Sequence, residues 1–249
     1  MKPTKHLKTA AALLLGLITG LFATTPALAA GGGNHPYFRV DTGNLAGLQR
    51  GARDFMSYCS GCHSLKYLRY NRMAKDLEIP EELLKANLMF TSDKPGDVIL
   101  SSMPKEGIDW FGATPPDLSL TARSRGPAWV ADYLQSFYVD PSRPLGVNNT
   151  VLPGASMPHV LWELQGLQAK VEHAEGADHG GKKFELVQKG KLSEEEYKKF
   201  VADLTNFLVY AAEPGRNHRI ATGWNVFIFL SIFFVIAYLL KKEYWKDVH

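Results

Sequence analysis

Cysteine is scarce in this 249-residue chain: there are two, and both fall within one five-residue stretch. That scarcity excludes a disulfide-stapled scaffold and a four-thiolate zinc site. A strong excess of charge is also lacking. The formal net charge of +3 is carried entirely by Lys2, Lys5 and Lys8, so a chain without its first 29 residues is neutral. Lys241, Lys242 and Lys246 oppose Glu243 and Asp247 in the last nine residues, which leaves the region before them one charge negative. Such a balance argues against nucleic acid as a partner. No internal repeat and no low-complexity segment is present.

The two cysteines stand in Cys59-Ser60-Gly61-Cys62-His63, a C-x-x-C-H pattern. Two thiols followed at once by an imidazole is the arrangement for covalent haem attachment. If Cys59 opens a helical turn, Cys62 and His63 fall at i+3 and i+4 and share its face. The thiolates can then add to the two vinyl groups of one porphyrin while His63 meets the iron. A redox dithiol needs only the two cysteines, and a zinc site needs two further ligands nearby. Both stand as rivals on this motif alone.

The ends of the chain address compartment. Lys2, Lys5 and Lys8, the apolar run Ala10 to Ala23 and Ala27-Leu28-Ala29 have the layout of a cleaved export signal. Residues 1–29 are therefore expected to be a leader, with an uncleaved membrane anchor as the alternative. A second apolar run, Trp224 to Leu240, is broken only by Asn225 and Ser231 and is flanked by Trp224, Tyr238, Tyr244 and Trp245. Belt aromatics and the lysines that follow extend this 17-residue run toward a membrane span, expected over 221–241. The positive-inside rule then places residues 242–249 in the cytoplasm and residues 30–220 on the exported side. A buried core helix is the alternative for the second run.

Residues 30–220 suffice for one sizeable core. Gly47, Gly51, Phe55 and Cys59 recur every four residues, which predicts a helix from Leu45 to Cys59 with a face permitting close approach. Ser193 to Glu196 forms a capping box. Tyr197, Phe200, Val201, Leu204, Phe207, Leu208 and Ala211 mark the apolar face of the helix that follows, and Pro214 stops it. A first helix leading into the cysteines and a last helix packed on it is the frame of a cytochrome c domain. Residues 93–158 are rich in Pro and Gly and read as long loops around a cofactor. Residues 163–192 are expected to hold a short hairpin with a strand at Phe184 to Val187. The fold class is therefore mainly α, with long loops, one short β-hairpin and a C-terminal transmembrane helix.

A six-coordinate haem needs a second axial donor. Met56 lies too near Cys59, while Met73 and Met89 sit in Leu-containing helical stretches that suit core packing. Met103 and Met157 both occur as Ser-Met-Pro in irregular segments, and the Gly and Pro around Met157 favour it. His159 is a lesser rival, read as a surface or supporting residue. His173 and His179 flank a Gly-rich acidic loop with little claim to a metal. The acidic groups Glu81-Glu82, Asp93/Asp97 and Glu194-Glu195-Glu196 read as solvated faces that can attract a basic soluble partner.

Over nearly all of its length beyond the leader the chain resembles the cytochrome c1 family in its bacterial form. The resemblance rests on four separated motifs. The first runs from Arg50-Gly51 through the C-x-x-C-H stretch to Ser64 and Tyr67. The second is Pro115-Pro116-Asp117-Leu118-Ser119 with Ala122-Arg123 and Arg125. The third runs from Asn149 through Pro153-Gly154 to Met157-Pro158. The fourth is Phe207-Leu208 with Ala211-Ala212-Glu213-Pro214 and Arg219. The chain lacks the extra cysteine pair that some members carry, so its loops depend on packing and proline. The resemblance implies one covalently attached haem c, with Cys59 and Cys62 as the thioether residues and His63 and Met157 as iron ligands. It further implies an electron-transfer subunit of quinol–cytochrome c reductase. Cytochrome b and a Rieske iron–sulfur protein are its expected partners, and a soluble or tethered cytochrome c its acceptor.

Around the haem, a carbonyl of the Ala113–Pro116 loop is expected to accept from His63, with Pro116 and Leu118 counted in the binding site. Arg125, and after it Arg123, are expected to face a propionate. Tyr58, Trp110, Phe111, Leu118 and Trp129 are expected either to pack on the porphyrin or to serve as ordinary core. Three other functions compete: an anchored monohaem carrier of another respiratory complex, a haem catalyst or sensor with an open iron, and a haem-free dithiol or metal module.

Overall fold

The computed structural model describes residues 38–104, 106–171 and 184–247. The expected leader and the loop holding His173 and His179 lie outside the described residues. In chain order, helix α1 (Leu45–Tyr58) leads to strand β1 (Leu65–Arg69), helices α2 (Tyr70–Asp76) and α3 (Glu81–Asn87), and strand β2 (Val98–Ile99). Helices α4 (Gly107–Phe111), α5 (Thr121–Ser124) and α6 (Pro127–Gln135) follow, then strands β3 (Phe137–Val139) and β4 (Val147–Asn149). Helix α7 (Trp162–Gln165), strands β5 (Gly166–Lys170) and β6 (Phe184–Lys189), and helices α8 (Glu194–Ala212) and α9 (Arg216–Tyr244) complete the described order. The strands form three separate antiparallel pairs, β1–β2, β3–β4 and β5–β6.

Helix α1 starts where the Asn44 side chain accepts from the Gly47 N–H at 3.0 Å, satisfying one of the open donors of the first turn. It crosses α8 along its small-residue face. A Cβ added at Gly51 would run into the Asp203 carbonyl oxygen, so glycine is what permits the two backbones to meet. Beyond the glycines, Phe55 and Phe207 are fully buried with ring centroids 5.7 Å apart. At the rim of the crossing, the Arg50 guanidinium forks onto Asp203 at 2.7 and 3.2 Å. Leu65, Leu68, Met73, Leu77 and Leu84 extend this core from β1 through α3.

The capping box at the head of α8 is present: Glu196 N–H donates to Ser193 Oγ at 3.4 Å, and Ser193 N–H to Glu196 Oε2 at 2.9 Å. Buried Tyr197 then donates to the Leu134 carbonyl at 2.8 Å, which ties α8 to α6. The predicted hairpin is β5–β6, with its second strand running on to Lys189.

Two expectations need correction. Residues 93–158 are not loop alone, since they hold β2, α4, α5, α6, β3 and β4. The longest of these elements is the nine-residue α6, too short for a helical period to stand out from the Pro and Gly around it. Met73 lies in a helix and is fully buried, as expected; Met89 lies past the end of α3, against the core.

Helix α9 begins earlier than the apolar run. Its 29 residues, about 43 Å at 1.5 Å per residue, contain no buried side chain, which excludes the core-helix alternative. It is long and apolar enough to cross a membrane. Its first turn is pinned to the segment before α1, where Asn217 Nδ2 donates to the Thr42 carbonyl at 2.9 Å and Thr42 Oγ1 donates to Asn217 Oδ1 at 2.8 Å.

Candidate functional site

The C-x-x-C-H stretch folds as a turn continuing α1. Cys62 N–H donates to the Cys59 carbonyl at 3.0 Å and His63 N–H to the same oxygen at 2.8 Å, giving the i+3 and i+4 placement expected from the spacing. Ser60 is buried and its hydroxyl donates to the Met56 carbonyl at 2.7 Å, closing the helix end. Both cysteines are unbridged and partly buried. Burial, with the nearby Asp54 carboxylate and the second thiol adding to it, pushes Cys59 up to about 12. Burial also pushes Cys62 up. A dithiol built for exchange has its thiolate stabilised, so these surroundings count against the redox-dithiol rival.

His63 Nδ1 lies 2.7 Å from the Pro116 carbonyl oxygen, within the loop predicted to supply the acceptor. A carbonyl only accepts, so Nδ1 carries the proton and Nε2 is left with its lone pair free for a metal. Burial lowers the His63 pKa, opposed by the Pro116 contact and by Asp117, which favours the neutral imidazole that metal ligation needs.

The segment holding Pro116 is fastened to the residues just after the C-x-x-C-H turn by a row of further bonds. Leu118 N–H donates to the Ser64 carbonyl at 2.9 Å, Lys66 N–H to Asp117 Oδ2 at 2.9 Å, and Tyr67 N–H to Ser119 Oγ at 3.2 Å. Asp117 Oδ1 also accepts from Ser119 N–H at 3.0 Å, which fixes the turn. Leu118 is packed against the main core. Asp117 and Ser119 thus orient His63 at one remove. The sequence displayed them in a motif without revealing that task.

Met157 sits on a loop secured from beneath by asparagines. Asn149 is fully buried; its Oδ1 accepts from Val151 N–H at 2.8 Å and Leu152 N–H at 3.2 Å, and its Nδ2 donates to the Tyr133 carbonyl at 2.8 Å. Asn148 Oδ1 accepts from Gly154 N–H at 2.8 Å, where φ of +78° suits glycine, and Arg143 donates to the Gly154 carbonyl at 3.0 Å. Tyr133 donates its hydroxyl to Met157 Sδ at 3.5 Å. The rival Met103 is engaged elsewhere: a Cβ added at Gly107 would collide with its sulfur.

Other predicted residues fall less uniformly. Arg125 is exposed and lies over the Trp129 ring at 5.2 Å, a cation–π contact that leaves its outward face to solvent. Arg123 is also exposed and stands among the charges around Glu213. Trp129 stacks on Tyr133 at 5.1 Å, and Tyr58 meets Phe200 edge-on at 5.8 Å. Trp110 is exposed, Phe111 half-buried. His159 is not a surface residue. It is buried and stacked on Phe137 at 5.0 Å, and burial pulls its pKa down to about 4. Among the described residues no cluster of three or more His, Cys, Asp or Glu could hold a metal ion.

An imidazole with one nitrogen oriented by a carbonyl, two thiols on the same turn and a thioether on a braced loop make a donor set that fits a haem c.

Comparison with known proteins agrees. A model described as the Cytochrome C1 family matches residues 185–248. The chain is 52% identical over 234 residues to cytochrome c1 of Allochromatium vinosum, covering 92% of this chain and 96% of that protein. It is 41% identical over 211 residues to a protein of Nitrosomonas europaea named ammonia monooxygenase gamma subunit, covering 84% of this chain and 87% of that one. It is 28% identical over 263 residues to cytochrome b/c1 of Bradyrhizobium diazoefficiens, which covers 86% of this chain and 34% of that longer protein.

Proposed function

The chain belongs to the cytochrome c1 family, whose members carry one covalently bound haem c, and on that premise we propose that it serves as the haem subunit of a quinol–cytochrome c reductase. In that role it takes single electrons from a Rieske iron–sulfur protein and passes them to a soluble or tethered cytochrome c. The observation that carries the reading is the His63–Pro116 bond, which leaves Nε2 free on the same turn as two unbridged thiols.

Haem c, when bound, supplies a one-electron iron couple. Cys59 and Cys62 would hold it through thioether bonds, and His63 Nε2 and Met157 Sδ would be the atoms offered to its iron. The Pro116 carbonyl keeps the proton on Nδ1, so the imidazole need not change tautomer between redox states. A soft thioether at Met157 would favour reduced iron, and a second protein donor beside His63 would compete with oxygen for it. This sets the carrier reading above the catalyst reading. Arg125, exposed and lying over the Trp129 ring, is assigned to a propionate.

In this scheme residues 1–29 are a removed leader and residues 30–220 form the periplasmic haem domain. Residues 221–241 span the inner membrane beside cytochrome b, and residues 242–249 are the cytoplasmic tail. The lysines after the span support that orientation.

The test is a pull-down of the tagged full chain from detergent-solubilised membranes, with spectra of what accompanies it. A b-type cytochrome and an iron–sulfur signal are expected, and recovery with neither would sink the assignment. The Nitrosomonas relative favours one second reading, a haem subunit of a different membrane complex. Recovery with another set of subunits and no b-type cytochrome would select it.

A further inference from the structure

Tyr133 is joined to the methionine loop at two points. Its carbonyl accepts from Asn149, whose side chain secures the start of the loop, and its hydroxyl donates to Met157 Sδ near the loop's end. The ring has little freedom to do otherwise. On one side it is stacked on Trp129, at 5.1 Å and 6° between planes, and on another it meets the fully buried Phe137 edge-on at 5.2 Å. Trp129 is itself covered by the Arg125 guanidinium at 5.2 Å. Arg125, Trp129 and Tyr133 follow one another at i, i+4 and i+8 along α6 and its approach, so a single helix face delivers the phenol to the sulfur.

A thioether is a weak acceptor, and this bond uses sulfur lone-pair density that would otherwise go to iron. Withdrawing that density weakens the sulfur as a donor to oxidised iron more than to reduced iron, so the bond raises the reduction potential. We propose that Tyr133 is a positioning residue that fixes the direction of the Met157 side chain and, by donating to its sulfur, raises the potential of the site. The proposal rests on the reading of Met157 as an iron ligand.

Tyr133→Phe keeps the stacked ring and removes only the donor. It is measured in the full haem-loaded chain in native membranes, beside Met157→Leu and the unmodified protein. Covalent haem content should be unchanged, and the ferric near-infrared sulfur-to-iron band should remain but move. At a fixed ambient potential, the reduced-to-oxidised ratio should fall about three- to tenfold, tenfold being 59 mV for one electron. An unmoved band with an unchanged ratio, or a ratio that rises, overturns the proposal. Tyr133→Leu guards against a packing explanation. If loss of the ring, and not of the hydroxyl, set the potential, Tyr133→Leu would lower the ratio while Tyr133→Phe left it alone. Met157→Leu separates the two levels of inference. A band that survives in that variant removes Met157 as ligand, and the Tyr133 proposal with it. A band lost there but unmoved in Tyr133→Phe overturns the proposal alone.

Discussion

His63 and Met157, the two proposed iron donors, are held in different ways. His63 lies on a turn closed by its own backbone, one residue past the second cysteine, and a short row of bonds from Pro116 to Ser119 fixes its ring. Met157 lies at the end of a loop from Asn149 whose shape depends on side chains, with buried Asn149 at the centre and Tyr133, Asn148 and Arg143 around it. On the first side, position follows chiefly from chain continuity and backbone bonds, with the Asp117 and Ser119 side chains bracing the segment that faces the turn. On the second it follows from a polar network, in which removing one member leaves another unpaired. The histidine side should therefore tolerate changes in its surroundings, and the methionine side should fail by degrees.

The largest expected effect tests attachment itself. Cys62→Ala should abolish most of the covalent haem signal on the denatured chain, and undiminished staining would show that the turn is not the attachment site. Next in size, Met157→Leu should keep the haem attached while lowering the reduced-to-oxidised ratio at fixed potential by more than about tenfold and admitting carbon monoxide to reduced iron. A site that stayed closed to carbon monoxide would mean that the two sides do not divide the work as described.

Asn149→Ala sharpens the contrast. Loss of its hydrogen bonds at a fully buried position should cost about 1–3 kcal/mol in thermal or denaturant unfolding and weaken the sulfur-to-iron band, with haem content unchanged. If haem attachment fell as well, the two sides would be coupled and not separate. The smallest effect lies away from both. Ser193→Ala at the head of α8 should cost about 1 kcal/mol at neutral pH without changing the spectrum. The Ser193 N–H and hydroxyl bonds hold Glu196 below the ordinary 4.5, so the carboxylate's share of the cap is present above that pH and is lost as pH falls through the lower folded value, while the Glu196 N–H to Ser193 Oγ bond does not titrate. The gap between unfolding curves of the native and Ser193→Ala chains should therefore narrow in acid without closing, because the Glu196 N–H bond to Ser193 Oγ remains.

Much of the frame was readable because its signals are local. The four-residue spacing of Gly47, Gly51, Phe55 and Cys59, the Ser193–Glu196 box, the strand beginning at Phe184 and the apolar run from Trp224 each state their own structure within a few residues. Helix α6 was not readable. Its buried side is only Val130, Ala131 and Leu134, less than a period needs to be seen. Nor was the burial of His159, which depends on Phe137 arriving from strand β3. Tyr133 could have been suspected from its spacing to Arg125 and Trp129, yet nothing in that spacing names Met157, 24 residues away.

The sequence alone determined the C-x-x-C-H turn, the helices that frame it and the apolar C-terminal helix, because backbone bonds between near neighbours and side-chain periodicity act over short stretches of chain. Only the tertiary structure decided which carbonyl orients His63, which methionine is braced and which is engaged by Gly107, and what donates to the braced sulfur. Those choices are made between groups far apart in the chain, and burial decides them by making an unpaired polar atom costly wherever the folded backbone brings such groups together.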